Sequence, residues 1–456
     1  MRHFPTDFTW GTATSAYQIE GAARTGGRGP SIWDAFAREP GRVLHGDTGD
    51  IACDHYHRYP EDVELLGQLG VTAYRFSISW PRVQPDGRGP VNPEGLDFYS
   101  ALVDALLESG ITPLVTLYHW DLPLRLSHGG GWLSRDTAGR FADYAAACLE
   151  RLGDRVTWWT TLNEPWCSSF LSYAAGRHAP GRTDDREALV AAHHQLLAHG
   201  RATEVLRGAA PEASVGITLN FADVVPASDS DADVDAARRV DAIMNRTFLE
   251  PIVTGEYPDE VLDRMDATGA SDALADGDLH IVGEPLDFLG VNYYTRHRVL
   301  GGSVRPPGSP WAGCDDVAEE APVHPITGMG WEICPDGLGV LLARLHRDAP
   351  GLPLYVTENG AAFPDYADPE GEIHDPARVG FLDAHLREVH AAISDGIDVR
   401  GYFVWSLLDN FEWTEGYSQR FGLVYVDYPS QQRRPKDSFW WYADVIASGG
   451  LLDRSV

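Results

Sequence analysis

A short run of β-branched and aromatic residues followed by a longer helical pattern recurs eight times along the chain. The runs fall at residues 8–12, 71–77, 112–118, 156–162, 214–219, 287–291, 353–357 and 401–406. The helical patterns fall at about 60–69, 93–109, 134–152, 186–207, 234–253, 335–347, 375–394 and 437–448. Strands that are apolar along their length are buried on both faces, and alternating helices supply the cover, which implies a parallel sheet. Eight such units close naturally into a ring. The predicted fold is therefore an α/β class (β/α)8 TIM barrel with elaborated strand-to-helix loops, a single domain over residues 1–456. An open doubly wound sheet fits less well, because the first turn, Gly11-Thr12-Ala13-Thr14-Ser15, is not the GxGxxG phosphate loop of that architecture. The seventh helix is the clearest. Val379, Leu382, Leu386, Val389 and Ile393 recur at three- and four-residue steps, Asp375-Pro376 predicts an N-cap and first-turn proline, and Gly396 stands just past the end.

Charge narrows the function classes. With 36 Lys and Arg against 67 Asp and Glu, the formal net charge is −31. That argues against a nucleic-acid binder, which needs a basic surface, and against anchoring to anionic membranes. A small neutral or cationic substrate is easier to accept. The one lysine is Lys436. Cys53, Cys148, Cys167, Cys314 and Cys334 are scattered with no CxxC pair, so neither a zinc ribbon nor a disulfide framework is expected. The opening MRHFPTDFTW has no apolar signal core, and no run of about 20 apolar residues occurs, so a cytoplasmic location is expected. No cofactor or metal is expected. His193 and His194, with His199, point in different directions on a helix, and Asp54-His55-Tyr56-His57 lacks a fourth clustered ligand. A homo-oligomer is left open.

Chemistry concentrates at two strand ends. The fourth run ends in Asn163-Glu164-Pro165 and the seventh in Thr357-Glu358-Asn359. A barrel sends both carboxylates to its C-terminal face, where such folds keep their active sites. Two long polar stretches, 119–135 and 299–330, follow the third and sixth strands onto that face and are candidate pocket walls. The chain also carries 14 Trp, many beside polar residues, and an indole can cover the apolar face of a pyranose. Paired carboxylates among indoles suggest glycoside hydrolysis, which needs one carboxyl to protonate the leaving oxygen and another to attack or to activate water. Acyl transfer lacks its GxSxG elbow.

Seven motifs in order make the chain resemble glycoside hydrolase family 1 β-glucosidases nearly end to end. They are Phe8-Thr9-Trp10-Gly11-Thr12-Ala13-Thr14-Ser15-Ala16-Tyr17-Gln18-Ile19-Glu20-Gly21, Tyr74-Arg75-Phe76-Ser77-Ile78-Ser79-Trp80, Tyr118-His119-Trp120-Asp121, Thr161-Leu162-Asn163-Glu164-Pro165, Asn292-Tyr293-Tyr294, Val356-Thr357-Glu358-Asn359-Gly360 and Trp405-Ser406-Leu407-Leu408-Asp409-Asn410-Phe411-Glu412-Trp413. The resemblance implies retaining double displacement with Glu358 as nucleophile and Glu164 as acid and then base, their carboxyls about 5–5.5 Å apart. Arg75 and Tyr294 would orient Glu358. Gln18, His119, Asn163 and Glu412 would bind sugar hydroxyls, Trp405 would floor the ring, and Trp413 would add a polar contact. Trp120, Asn292 and Tyr294 belong to the same expected substrate set, and Trp331 would be the leaving-group platform. Trp166 and Phe170 are weaker candidates that core packing explains as well. The implied activity is release of a nonreducing β-linked glucose from small glucosides or cello-oligosaccharides, with β-galactosidase and β-fucosidase activity alongside. Three alternatives are weighed. A 6-phospho-β-glycosidase would not keep Glu412 and would carry a lysine near Ser418. A thioglucosidase lacks the acid that Glu164 supplies. An inactive sugar-binding homologue would be expected to have lost a carboxylate.

Overall fold

The computed structural model describes residues 2–452; Met1 and residues 453–456, which the expected domain includes, lie outside them. Eight parallel strands form the barrel: β1 (Thr9–Ala13), β2 (Ala73–Ser77), β3 (Thr112–Tyr118), β4 (Trp158–Asn163), β5 (Ser214–Pro226), β6 (Phe288–Leu300), β7 (Leu354–Asn359) and β8 (Val399–Trp405). Each pairs with its neighbour, β1 pairs with β8, and β5 pairs with β6, so the ring has no open edge. Between or after them run α1 (His55–Leu69), α2 (Pro93–Glu108), α3 (Asp136–Leu152), α4 (Asp185–Ala209), α5 (Asp231–Asp241), α6 (Pro335–Asp348), α7 (Pro376–Ser394) and α8 (Asp437–Ser448). The expected (β/α)8 barrel is thus the observed one. Helix α3 illustrates the local cause. Phe141, Tyr144, Ala145, Cys148, Leu149 and Leu152 repeat at helical spacing, and all are buried against the sheet. No helix among the described residues is long and apolar enough to cross a membrane.

Aromatic side chains plug the barrel's interior. Phe288 and Phe403 are fully buried there with Leu114, and Trp158 and Tyr355 pack edge-on against Phe288. They fit because small residues stand opposite. A Cβ on Gly11 would meet the Phe403 ring at 2.3 Å, and one on Gly216 would meet Phe288 at 2.6 Å. The filled interior leaves room for a cavity only beyond the strands' C-terminal ends.

Three expectations are corrected. The fifth helix does not run unbroken over 234–253. It is α5, then a wide turn Ala242–Arg246, then a helix Thr247–Thr254. The wide turn lets Asn245 bond both the N–H and the C=O of Ala222, at 3.1 and 2.9 Å. Asp375 occupies the N-cap position of α7 without capping it. Its carboxylate instead accepts from Ser438 and the buried Arg378. Strands β5 and β6 outrun their expected ends at 219 and 291. Their polar continuations read as loop, yet they stay paired to Pro226 and Val299 as a ribbon beyond the barrel.

Candidate active site

A cavity of about 250 Å³ opens over the C-terminal strand ends. Glu164, Glu358, Glu412, His119 and Tyr294 line it together with six indoles, Trp120, Trp166, Trp311, Trp331, Trp405 and Trp413. Both long polar stretches contribute wall, His119 and Trp120 from the first and Pro310, Trp311, Glu319 and Met329 from the second. The ring contacts form one shell: Trp120 and Trp413 have centroids 4.6 Å apart, and His119 stacks at 5.7 Å from Trp405. On another wall Trp331 lies 5.4 Å from Tyr294 and 6.1 Å from Phe421.

The two carboxylates predicted from the strand ends differ in their company. At the end of β7, Glu358 accepts from Arg75 Nη1 at 2.5 Å and from Tyr294 OH at 2.7 Å. Arg75 comes from β2, is fully buried, and sends Nη2 to Asn163 Oδ1 at 2.6 Å. Glu164, just past β4, forms no ion pair among the described residues. It accepts from Asn292 Nδ2 at 2.7 Å and from the Cys167 thiol at 3.2 Å. Asn292 is aimed by Thr357, which donates to its Oδ1 at 2.8 Å. Burial pushes the Glu164 carboxyl up to about 8, and the Glu358 charge adds to the rise. Burial raises Glu358 too, but Arg75 and Tyr294 pull it back. Glu358 therefore ionises first and Glu164 keeps its proton near neutral pH.

Glu412 is the third acid. Burial, then the charges of Glu358 and Glu164, push it up to about 8. Gln18 Nε2 reaches its Oε2 at 3.4 Å while also donating to Asn410 Oδ1 and Phe411 O. Ser15 fixes the amide's other end at 2.7 Å. His119 is neutral, since burial and then Arg75 hold its pKa well below the ordinary value. Asn163 Nδ2 donates to His119 Nε2 at 3.0 Å, which leaves the ring proton on Nδ1. That atom is buried and, like Trp166 Nε1, has no hydrogen-bond partner among the described residues. A buried donor without a partner is costly, and a hydroxyl-bearing ligand would satisfy it.

Three wall residues, Trp120, Glu164 and Trp413, hold φ of 77°, 46° and 46°. The left-handed region costs a side-chain-bearing residue about 1–3 kcal/mol and persists where neighbours over-determine it. Here Glu164 N donates to Thr218 O at 2.9 Å and Trp120 Nε1 to Asn163 O at 2.9 Å.

The structure thus gathers Glu164, Glu358, His119, Trp120, Tyr294, Trp331, Trp405, Glu412 and Trp413 at the wall. It sets Gln18, Arg75, Asn163 and Asn292 directly behind, bonded to wall residues. Trp166 lines the cavity, but Phe170 does not: it is fully buried between Trp166 and Phe248. The three helix histidines diverge as expected, His193 to Asp278 and Tyr257, His194 to Trp132 O and His199 to Thr161. Sequence reading missed Cys167, Arg177, His178, Asn220, His297 and Phe421 at the wall. The wide-turned segment Cys167–Ala174 carries Cys167 and Leu171 inward, and no periodic pattern announces such a turn.

Comparison with known proteins adds identity to this geometry. The sequence profile described as Glycosyl hydrolase family 1 matches residues 1–451. A 1,4-beta-D-glucan glucohydrolase of Thermotoga neapolitana is 46% identical over 99% of this chain and 100% of its own. A bifunctional beta-D-glucosidase/beta-D-fucosidase of Bifidobacterium breve is 51% identical over 97% of this chain and 98% of its own. The crystal structure of a psychrophilic beta-glucosidase from Micrococcus antarcticus superposes with a TM-score of 0.95 at 50% identity, covering 99% of this chain and 100% of that one.

Proposed function

The chain belongs to glycosyl hydrolase family 1, and from that membership we propose a working mechanism for its cavity. The enzyme is a β-glucosidase. The activities its relatives' names give, toward 1,4-β-D-glucan and β-fucosides, support release of a nonreducing β-glucose from small glucosides and cello-oligosaccharides with fucosides also accepted, and the proposal extends to galactosides. The single observation that carries the mechanism is the unequal company of two buried carboxylates in one cavity.

Glu358, ionised against Arg75 and Tyr294, attacks the anomeric carbon and forms a glycosyl ester. Glu164, protonated, gives its proton to the leaving oxygen as that bond breaks. Esterification removes the Glu358 charge, so Glu164, left as a carboxylate by that transfer, stays ionised more easily. It then takes a proton from the incoming water, whose oxygen displaces Glu358 and restores the starting state with net retention. His119 Nδ1, Glu412 and the Trp405 ring serve the sugar, and Trp331 the leaving group. Glu412 also argues against a 6-phosphate, because it faces Glu164 and Glu358 in a cavity already rich in acids. Catalysis belongs to the single barrel domain of residues 1–456.

The test is Glu358→Ala with azide or formate. The vacated space admits a small anion that attacks from the nucleophile's side, so the variant, inactive alone, regains turnover and yields α-configured product. Wild-type stereochemistry in a variant that needs no added anion would place the nucleophile elsewhere.

A further inference from the structure

Trp331 stands on a tight hairpin whose back face gathers three metal-ligating side chains. Thr327 N donates to Trp331 O at 2.9 Å, Ile333 N donates to Pro325 O at 2.8 Å, and Ile326 bridges Glu332 in antiparallel register. Continuing that register by two residues sets His324 opposite Cys334. Side chains alternate across a strand, so Glu332 and Cys334 share one face with His324, while Trp331 turns the other way into the cavity. The ligand atoms of His324, Glu332 and Cys334 lie within 4.8 Å of one another, the one set of three so placed among the described residues.

One of those atoms is conspicuously unsatisfied. Glu332 is 4% exposed, and its Oε1 is buried with no hydrogen-bond partner among the described residues. His324 Nε2 stands 3.6 Å away, beyond hydrogen-bond range, on an exposed side chain that is free to approach. An orphaned carboxylate oxygen facing an imidazole and a thiol is a donor set for a borderline-soft divalent cation. Calcium and magnesium, which take oxygen ligands, do not suit it.

We propose that His324 Nε2, Glu332 Oε1 and Cys334 Sγ form a Zn²⁺ site on the back of the hairpin that carries Trp331, with water at the fourth position. On binding, the Cys334 S–H bond breaks, its proton goes to solvent, and a sulfur–zinc bond forms. Thiolate and carboxylate together cancel the ion's charge. Metal–ligand bonds of about 2.0–2.3 Å bring tetrahedral ligands closer than the set now stands, and movement of the exposed His324 supplies the contraction. The ion would tie the hairpin's two strands together behind Trp331. This site is independent of the roles assigned inside the cavity. Its spacing, His-x7-Glu-x-Cys, matches no zinc-ribbon pattern, because the ligands converge through hairpin register rather than along the chain.

The full-length protein, stripped with chelator, is titrated with Zn²⁺ by calorimetry and with Co²⁺ by absorption. The expected result is one ion per chain, a thiolate-to-cobalt charge-transfer band, proton release, and a Tm raised by Zn²⁺. His324→Ala and Cys334→Ser should each weaken Zn²⁺ at least about 10-fold, and Cys334→Ser should abolish the band. His324 is exposed, so its variant folds and decides the matter if Cys334→Ser does not. Absence of Zn²⁺ binding, or unchanged affinity and stoichiometry in His324→Ala, overturns the site. So does a cobalt spectrum without sulfur ligation.

Discussion

Tyr294→Phe isolates the hydrogen bond that separates the two catalytic carboxylates. Tyr294 OH lies 2.7 Å from Glu358 Oε2, and its ring contacts with Trp331 and Phe421 survive the change. Nothing is cut from the core, so the fold should be untouched. A hydrogen bond to an ionised carboxylate contributes about 1.5–3 kcal/mol. The bond favours the charged form, so its loss should raise the Glu358 pKa. Arg75 remains at 2.5 Å and keeps the shift from being larger. The same loss should lower kcat/KM on an aryl β-glucoside by roughly 10- to 150-fold if the ionised nucleophile is held through the transition state. The assay is the pH dependence of kcat/KM, whose acid limb reports Glu358 in the free enzyme. The limb should move to higher pH while the basic limb, set by Glu164, stays close to its place. A rate loss with an unmoved acid limb would refute the reasoning, because Tyr294 would then act on something other than the charge of Glu358.

Glu164→Ala should spare the first step for dinitrophenyl glucosides, whose leaving group needs no proton, and slow it strongly for cellobiose; equal losses in pre-steady-state rates would remove the acid role. Glu412→Gln should trade stability against activity. The Glu412 pKa rises from 4.5 to about 8 on folding. Stability from its neutral form is therefore full below about 4.5 and lost as pH climbs through 8, reaching an order of about 5 kcal/mol by pH 9. The variant should match wild type near pH 5, melt several degrees higher near pH 9, and lose about 10- to 150-fold in kcat/KM on glucosides. A Tm difference that does not grow with pH contradicts the assignment. Lys436→Met should be costly, since the Lys436 ammonium is fully buried between Asp365 at 2.5 Å and Asp409 at 2.7 Å. Breaking a buried ion pair costs about 3–5 kcal/mol. With unfolding entropy of about 2.1 cal/mol/K per residue, that is a Tm drop of roughly 3–5 °C by calorimetry, and a drop under 1 °C would show the network to be dispensable.

The barrel was legible in the sequence because its cause is periodic. Eight apolar runs, each needing cover on both faces, leave few arrangements, and 112–118 and 437–448 appear in the structure as expected. Glu164 and Glu358 were legible because a strand end fixes both position and facing. What the sequence could not carry was everything set by convergence of distant segments. The different pKa values of two identical carboxyl groups come from Arg75 on β2, Tyr294 on β6 and Asn292 beside it, brought together only by ring closure. Asp375 reads as a cap, yet the buried Arg378 and Ser438 claim its charge. Wide turns at 167–174 and 242–246 follow from side chains such as Asn245 bonding neighbouring backbone, not from any local preference. Hydrophobic periodicity is a property of one segment, and chain order alone preserves it. Electrostatics and hydrogen-bond satisfaction are properties of neighbours, and only the tertiary structure chooses those.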